Sequence, residues 1–518
     1  MSLKRNRSLI VLTMSICILS LAAAAGARHY ARNFDDLWGP QYSTQHPALS
    51  RSEVRLSSGS TTGIRRWNEI AINASGLDHT PVAPGENRVF GEQIGPCRSA
   101  RAIAIVHIAI FEAVNAIDGS FKSYVGLPRA SGRTSMEAAI AQGAHDTLVA
   151  LFPSQKASFD ELLAEDLNRI PDSGKNAGVI LGKRAAKEIL ELKANDGSLH
   201  AEPRLGEGFT TSNDPGKWRQ DPISLLPVVL GAHWGEVKPF VLQSSDQFRL
   251  PPPPDMTSAE YAAAYDEVQR LGGDGVNTPT ERTAEQTEIG LFWAYDGTPS
   301  LCAPPRLYNQ ITVQIANQMG STDVELARLL ALANTAMSDA GSASWDSKFA
   351  YQLWRPITGI RESDVGTGPS GQGDGNPATV CDQTFTPLGA PASNLMGPNF
   401  TPPFPAYPSG HATFGGALFQ TLRNFYGTDN ITFTFVSDEL NGVTVDNGGN
   451  VRPLRPRTFT TFSQAEEENG QSRIYLGIHW SFDKTQGIIQ GRNVANYVFK
   501  RAFVPARTKS GVGRGGTK

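Results

Sequence analysis

The chain has 518 residues, of which 40% are hydrophobic and 19% are charged, so its apolar content is sufficient for more than one globular core. Its formal net charge of −3 at pH 7 gives no support for nucleic-acid binding. The 51 glycines and 34 prolines predict that long loops separate the regular elements.

The first 27 residues have the pattern of a signal peptide. The cationic stretch "LKRNR" is followed by the apolar run "LIVLTMSICILSLAAAA", and "AGA" places small residues before Arg28. An uncleaved membrane anchor is the alternative. No second span of this kind is evident, so we predict a secreted or periplasmic protein with no stable membrane span after signal removal.

The cysteines do not define a metal site. Cys17 lies in the predicted signal, which leaves Cys97, Cys302 and Cys381, and an odd number leaves at least one unpaired unless a bond joins two chains. A Cys302–Cys381 bridge is one pairing that the sequence leaves open. There is no CxxC or Cys/His ligand spacing, which argues against a structural zinc.

Helical periodicity dominates the first half of the mature chain. Residues 28–63 are polar and irregular and predict an arm. Four helices are predicted after it, at 98–117, 136–151, 155–169 and 175–194. A loop-rich stretch at 196–255, which ends in "PPPP", predicts a connection between two lobes.

The second half returns to helical patterns. Thr322 and Glu325 form a capping-box pattern before "LARLLALANTAM", which has apolar residues along one helical face. Further helices are predicted near 257–271, 281–295, 410–425, 463–478 and 482–502, with a β-prone patch at 431–437. We therefore predict a mainly α fold with long loops, made of two helical-bundle halves at 28–240 and 241–506 and a disordered tail at 507–518.

The stretch "KFAYQLWRP" contains two cations. Lys348 and Arg355 are seven residues apart, so a continuous helix places both on one face, about two turns from each other. Pro356 disfavours helical geometry at Arg355, so the helix is predicted to end there. A solvated basic edge is the alternative interpretation of this spacing.

The stretch "PAYPSGHATF" predicts the start of a helix. A helix that begins after Ser409 exposes unpaired N–H groups, and its dipole favours an anion. Gly410 allows close approach of a ligand to the backbone, and His411 can exchange a proton near neutral pH. A simple serine cap with an incidental histidine is the alternative.

The stretch "SRIYLGIHWSFD" adds a third cation, Arg473, and a histidine–aspartate pair. His479 and Asp483 are four residues apart, so they are predicted to meet on one helical face. A carboxylate that binds one ring nitrogen fixes the tautomer and leaves the other nitrogen free as a nucleophile or ligand. A buried structural pair is the alternative.

The three stretches together favour a single oxyanion site. Three cations, a helix N-terminus, one acid–base histidine and one oriented histidine suit a tetrahedral anion that carries about three charges. Each alternative interpretation is weaker for the combination than for one stretch alone.

The ordered patterns K-x6-R-P, P-S-G-H and S-R-x5-H-x3-D resemble the superfamily of vanadium-dependent haloperoxidases and type 2 phosphatidic-acid phosphatases. The resemblance implies an orthovanadate cofactor with His479 bound to vanadium and His411 as the acid–base. It also implies that Lys348 polarises the peroxide. The residues implied to bind the oxygens of vanadate are Lys348, Arg355, Ser409, Gly410 and Arg473.

Further positions resemble the chloroperoxidase branch. Phe404 and Trp345 match aromatic residues of its halide pocket, although ordinary aromatic packing is the alternative. Asp296 resembles a family aspartate that pairs with the arginine at Arg473, and a simple helix-end aspartate is the alternative. Asp483 is implied to orient His479.

The resemblance implies an enzyme that oxidises halide with hydrogen peroxide to hypohalous acid, which then reacts with small organic acceptors. Bromide is the expected halide, and chloride is left open. A secreted acid phosphatase that uses a phosphohistidine at His479 is the first alternative, and a non-catalytic oxyanion-binding relative is the second. Chain length, the extra helical half, Trp345 and Phe404 favour the haloperoxidase. The sequence does not decide the oligomeric state.

Overall fold

The computed structural model describes residues 33–43 and 63–506. The predicted signal peptide, most of the predicted arm and the predicted tail at 507–518 lie outside the described residues. The described chain is mainly helical, which confirms the predicted fold class, and the helices that were predicted lie within about three residues of their predicted bounds.

The first half contains six helices among the described residues. They are α1 (Phe34–Trp38), α2 (Gly63–Asp78), α3 (Pro96–Asp118), α4 (Met136–Leu151), α5 (Lys156–Arg169) and α6 (Lys175–Leu192). Two very short strands, β1 (Arg204–Leu205) and β2 (Gly208–Phe209), lie in the long connection and pair in parallel.

The second half contains eight further described helices and an antiparallel hairpin. The helices are α7 (Ala259–Gly272), α8 (Ala284–Phe292), α9 (Pro304–Gln318), α10 (Asp323–Tyr351), α11 (Pro356–Arg361), α12 (Gly410–Tyr426), α13 (Phe462–Tyr475) and α14 (Ser481–Arg501). The hairpin strands are β3 (Phe433–Asn441) and β4 (Leu454–Phe459).

Helix α3 is the central helix of the first half. Among the described residues it is the one helix long and apolar enough to cross a membrane, yet 94% of its most apolar window is buried inside the protein. It packs against α4 and α6 of the first half and against α10 of the second half. Its composition therefore reflects a core position among helices of both halves.

Close helix packing brings the two ends of the candidate site together. Helix α12 packs against α14, where a side chain at Gly491 would place its Cβ 2.1 Å from the carbonyl oxygen of Thr413. Because Gly487 and Gly491 have no side chain, the first turns of α12 lie directly against the first half of α14. The amide of Ser409 donates to the carbonyl oxygen of Asp483 at 3.1 Å.

Four helices were not predicted: α1, α2, α9 and α11. Part of the arm forms α1, in which Leu37 and Trp38 are buried, and Asn33 caps the helix through its side chain. Helix α9 begins with Pro304 and Pro305, a pair that favours a loop in sequence but is tolerated in a first turn, where no amide partner is lost.

The three described cysteines are all free thiols, and Cys97 and Cys302 are buried. The Cys302–Cys381 bridge that the sequence left open is therefore not formed. Cys302 instead lies 3.0 Å from the hydroxyl of Ser75 in the packed core.

Candidate active site

The ends of five helices supply most of the candidate site residues. The predicted residues converge at the last turn of α10 (Lys348), just before α11 (Arg355), at the start of α12 (Ser409, Gly410, His411), at the end of α13 (Arg473), around the start of α14 (His479, Asp483), and in the loop after α8 (Asp296). Helix ends carry unpaired backbone groups and dipole charge, so this arrangement concentrates polar groups in an otherwise apolar core.

The structure corrects the predicted geometry of the two cations in "KFAYQLWRP". Helix α10 ends at Tyr351, and Gln352 caps it with a left-handed backbone (φ 52°), so Arg355 lies beyond the helix as the residue before α11. Lys348 and Arg355 therefore do not share a helical face. The chain reversal turns the Arg355 side chain into the core, where it is 1% exposed.

Lys348 is fully buried and is held by backbone carbonyls. Its ammonium donates to the carbonyl oxygens of Pro405 and Ala406, both at 2.9 Å, and also to that of Pro408. An ammonium has three donors, so this loop uses all of them. Burial and the neighbouring charge of Arg355 lower the pKa of Lys348 well below its usual value.

Arg355 and Arg473 both have donors without partners. Arg355 donates through Nε to Phe404 O and through Nη1 to Ile478 O, each at 2.9 Å. Arg473 donates through Nη2 to both carboxylate oxygens of Asp296, at 2.6 and 2.9 Å. Nη2 of Arg355 and both Nε and Nη1 of Arg473 are buried and have no partner among the described residues.

His479 and Asp483 are in contact, but through a different geometry from the predicted one. His479 precedes α14, and Asp483 lies in the first turn of that helix, so the pair does not lie on one helical face. Nδ1 of His479 lies 2.8 Å from Oδ2 of Asp483, which also accepts from the Trp480 amide at 3.0 Å. Asp483 thus caps the helix and orients the imidazole at the same time.

The free nitrogen of His479 faces a cation. Nε2 accepts from Nη1 of Arg355 at 2.9 Å, which identifies it as the unprotonated nitrogen when Nδ1 donates to Asp483. Burial and the charges of Arg355 and Lys348 lower the pKa of His479 well below its usual value. The site therefore presents a neutral imidazole with a lone pair among cations.

The start of α12 supplies backbone donors. Ser409 caps the helix, and its hydroxyl accepts from the Ala412 amide at 3.4 Å. A Cβ at Gly410 would lie 3.2 Å from the ring of Trp345, so glycine leaves this first-turn backbone uncovered. First-turn amides have no partner within the helix and favour an anion.

His411 lies close to the ion pair of Arg473 and Asp296. Its Nε2 is 2.5 Å from the carbonyl oxygen of Ala294 and 3.9 Å from Asp296 Oδ1. Burial and the charge of Arg473 lower the pKa of His411 well below its usual value, so the ring is neutral at neutral pH. A neutral ring that donates from Nε2 keeps Nδ1 available as a base.

Residues 294–296 form a segment that positions both sides of this pocket. Ala294 contacts His411, Asp296 pairs with Arg473, and Tyr295 between them adopts a positive φ of 46°, a rare conformation for a bulky residue. The buried carboxylate of Glu439 accepts from the Tyr295 amide at 3.0 Å and from Arg452 and Ser393, both at 2.6 Å. Glu439 therefore stabilises the positive-φ backbone at Tyr295.

Glu439 was not identified from the sequence, although a signal was present. In "FTFVSDE" at the start of β3 the side chains alternate between buried and exposed, and the alternation places Glu439 on the buried face with Phe433, Phe435 and Ser437. A carboxylate that faces the core from a strand requires hydrogen-bond or ionic partners. Such a residue is therefore a candidate for holding a neighbouring segment in position.

We expect Glu439→Gln to weaken binding of an oxyanion at this site by roughly 10- to 100-fold, because the 294–296 segment loses its carboxylate support. Stability should fall by about 3–5 kcal/mol, since Arg452 loses its buried partner. Calorimetric titration with inorganic phosphate and denaturant unfolding measure the two effects. Glu288→Gln is the matched control, because its ion pairs are partly exposed and worth about 1 kcal/mol or less. Phosphate affinity equal to that of the unaltered protein would contradict the positioning role.

We expect Lys348→Met to destabilise the protein by roughly 3–5 kcal/mol, because three buried carbonyl groups lose a charged donor. Chemical denaturation measures this loss. Lys500→Met is the matched control, since Lys500 also lies at the end of a helix but is exposed. An unfolding midpoint unchanged from that of the unaltered protein would show that Lys348 does not hold the 405–408 loop.

A cavity of about 670 Å³, including its open mouth, reaches the candidate site. Asp296, Gly410, His411, Arg473 and His479 line its polar end. Trp345 and Phe404 line the adjoining wall, with ring centroids 4.9 Å apart. The unpartnered donors of Arg473, the first turn of α12 and Nε2 of His479 fit a compact oxyanion. Lys348, Arg355 and Ser409 do not line this cavity, and Arg355 lines a smaller neighbouring one.

Known proteins are similar to this chain in both sequence and fold. The family described as the VCPO second helical-bundle domain matches residues 328–506. The vanadium chloroperoxidase of Curvularia inaequalis is 32% identical to this chain in an alignment 509 residues long. The match covers 82% of this chain and 79% of that protein.

Two solved structures have the same fold. The first bacterial vanadium-dependent iodoperoxidase has a TM-score of 0.66 at 23% identity, over 86% of this chain and 98% of that chain. An apo-type bacterial vanadium-dependent chloroperoxidase has a TM-score of 0.59 at 17% identity, over 79% and 94% of the two chains.

Proposed function

This chain belongs to the vanadium-dependent haloperoxidase family, and we propose that it oxidises halide ions with hydrogen peroxide by means of a bound orthovanadate. The observation that carries the proposal is that Nε and Nη1 of Arg473, buried and without partners, line the same cavity as His479. Arg355, which contacts His479, has a third unpartnered donor in Nη2. Buried charged donors without partners are costly, so an anion that completes them is stabilised.

The residues that would hold vanadate are Arg355, Arg473, Ser409, the Gly410 amide and His479. The two guanidinium groups match oxyanion geometry. His479 would offer its neutral Nε2 to the central atom, and this requires that Nη1 of Arg355, which now donates to Nε2 at 2.9 Å, be released. Lys348 would contribute its charge, and a direct contact requires that one of its three carbonyl partners be released. When bound, the cofactor supplies a Lewis-acidic centre that activates peroxide without changing its own oxidation state.

His411 is proposed to move the protons of the reaction. Its neutral ring can accept a proton from incoming peroxide, and the nearby Asp296 carboxylate stabilises the imidazolium that forms. Asp296 is itself held by Arg473, so the proton acceptor and the anion site are coupled through one ion pair.

Trp345 and Phe404 are proposed to form the halide wall. Both are buried, and Trp345 donates its indole N–H to the carbonyl oxygen of Leu230 at 3.0 Å. The halide thus meets ring carbon rather than a polar donor. An apolar wall reduces hydration of the halide and increases its reactivity as a nucleophile.

The decisive test is a bromide-oxidation assay of the purified protein together with vanadium analysis. We expect bromination of an indicator dye that requires vanadate, peroxide and bromide together, with about one vanadium per chain if this site is filled. Hydrolysis of a phosphate ester that is inhibited by vanadate, with no halide oxidation, would instead support an acid phosphatase. Vanadate binding without either reaction would support a non-catalytic relative.

We further propose that the protein is exported. This proposal rests on the cationic and apolar pattern of residues 1–27. Mass spectrometry of the protein from its native host should find Arg28 near the mature N-terminus, whereas retention of residues 1–27 would contradict cleavage.

A further inference from the structure

A second, smaller cavity adjoins the candidate site, and we call it the side cavity. Its volume is about 250 Å³, including its open mouth, and its buried polar groups belong to Asp221, Arg355 and Thr401. Pockets that enclose drug-sized ligands are larger, roughly 300 to 1,000 Å³. The side cavity therefore suits a molecule of only a few atoms.

The side cavity is distinct from the large cavity that reaches His479. Leu226, Pro402 and Pro403 line both cavities, so they form the partition between them. Arg355 lines the side cavity and not the large one, yet its Nη1 contacts Nε2 of His479 at 2.9 Å. Arg355 is therefore the residue that connects the side cavity with the anion site.

Two buried polar groups of the side cavity lack partners among the described residues. They are Nη2 of Arg355 and the hydroxyl of Thr401, and the two residues are 1% and 3% exposed. Nη1 of Arg355 already donates to the carbonyl oxygen of Ile478 and to His479, so Nη2 is left for another ligand. A buried N–H without an acceptor is costly, and a molecule that accepts from Nη2 would be stabilised.

Asp221 supplies an acceptor to the same cavity. Its Oδ1 accepts from the Ile223 amide at 2.8 Å, and its Oδ2 accepts from the Ser224 hydroxyl at 2.8 Å and the Thr401 amide at 2.9 Å. A carboxylate has about four lone-pair positions, so Oδ1 can accept one more hydrogen bond. The side cavity thus combines the donor of Arg355, the acceptor of Asp221 and a hydroxyl that can do both.

The charges around the side cavity favour a neutral ligand. The charge of Asp221 acts on Arg355, and Arg219, which also lines the side cavity, forms an ion pair with Glu362. A halide or an oxyanion would lose hydration and would also meet the carboxylate of Asp221. An apolar molecule would leave the buried donors without partners. A small neutral molecule that both donates and accepts hydrogen bonds suits the site better than either.

We propose that the side cavity binds hydrogen peroxide beside Arg355, on its way to the anion site. The inference rests on the proposed haloperoxidase function, in which peroxide is the oxidant. One oxygen of peroxide can accept from Nη2 of Arg355 and donate its proton to Asp221, while the other oxygen pairs with the hydroxyl of Thr401. Water has the same hydrogen-bonding chemistry, so the experiments must distinguish the two molecules.

The KM for peroxide tests the Thr401 contact. Thr401→Val removes the hydroxyl and keeps the shape, so we expect it to raise the KM of the loaded enzyme for hydrogen peroxide by about three- to tenfold, the usual effect of one hydrogen bond. The KM for bromide and the affinity for vanadate should not change, because Thr401 does not line the large cavity. An unchanged peroxide KM, or an equal increase in both KM values, would overturn the proposal.

Two further variants serve as controls. Thr401→Ser retains the hydroxyl and should retain the KM for peroxide. Thr335→Val removes another buried hydroxyl without a partner, which lies in α10 and lines neither cavity, and it should leave both KM values unchanged. An increase equal to that of Thr401→Val in either control would assign the effect to lost packing and overturn the proposal. Circular dichroism and thermal unfolding establish that each variant is folded.

Occupancy of the side cavity can be tested without turnover. Crystals of the vanadate-free protein soaked in hydrogen peroxide should show density for two bonded atoms within hydrogen-bond distance of Arg355 Nη2 and Thr401 Oγ1. A single water molecule in that place would overturn the assignment. A parallel soak in bromide should give no anomalous signal in the side cavity, and a signal there would identify an anion site and also overturn the proposal.

The inference and the proposed function can fail separately. If the peroxide density is present but no halide is oxidised, the proposed function fails and the peroxide site stands. If bromide is oxidised but the side cavity holds only water and Thr401→Val leaves the peroxide KM unchanged, the inference fails and the function stands.

Discussion

Replacing His479 with alanine is expected to abolish vanadate-dependent halide oxidation and to weaken vanadate binding by at least about 100-fold, since a direct ligand should matter more than its supporting contacts. The neutral Nε2 of His479 is the candidate donor to the central atom, and its orientation is set by Asp483 at 2.8 Å. Loss of the imidazole leaves two arginines that can hold the oxygens but no group to bind the metal. Equilibrium dialysis with vanadium analysis and the bromide assay measure the two losses.

Asp483→Asn tests separately whether the orientation of His479 matters for vanadate binding. It retains the shape and the contact to the Trp480 amide but removes the carboxylate that fixes the His479 tautomer. An intermediate loss of affinity, about 10- to 100-fold, is expected. If His479→Ala retains the turnover of the unaltered enzyme, the histidine is not the vanadium ligand.

Replacing His411 with alanine is expected to lower turnover by about 10²- to 10⁴-fold, the usual range for loss of a general acid–base. Vanadate affinity should change far less, because the arginine donors and His479 are retained. Steady-state kinetics at saturating vanadate, compared with equilibrium dialysis, separate the two quantities. Equal losses of turnover and affinity would make His411 a ligand contact rather than a proton carrier.

We also predict that vanadate changes the pKa of His411. Burial and the charge of Arg473 lower the pKa of His411, so the ring of the unliganded protein stays neutral even below its ordinary value of about 6.5. A bound trianion offsets the charge of Arg473, so vanadate should raise this pKa. Histidine NMR titration with and without vanadate measures the shift. A pKa that vanadate leaves unchanged would place His411 outside the electrostatic reach of the anion.

Several local features were predictable from the sequence because they depend on neighbouring residues. The capping box of Thr322 and Glu325 forms as predicted, and the helix that begins after Ser409 starts at Gly410. Apolar periodicity also predicted α4 and α14 to within one residue at each end. Periodicity and capping are properties of adjacent turns, so a short stretch of sequence contains the required information.

Where the prediction depended on how a helix ends, it was wrong. The spacing of Lys348 and Arg355 assumed one continuous helix, but the left-handed turn at Gln352 ends it three residues before Arg355. The spacing of His479 and Asp483 made the same assumption, yet the helix begins between them. Residue spacing does not reveal a cap whose geometry is stabilised by distant contacts.

The sequence by itself determined the chemical groups of the site and the family to which the chain belongs, because both reside in three short motifs. Only the tertiary structure decided the partners: the carbonyl groups that hold Lys348 are 57 to 60 residues away, Asp296 is 177 residues from Arg473, and Glu439 of the β3–β4 hairpin supports Tyr295 in the loop after α8. It also decided that α1 lines the cavity. Local patterns set helices, whereas ion pairs and cavity walls depend on which distant segments pack together, since burial determines which polar groups must find a partner.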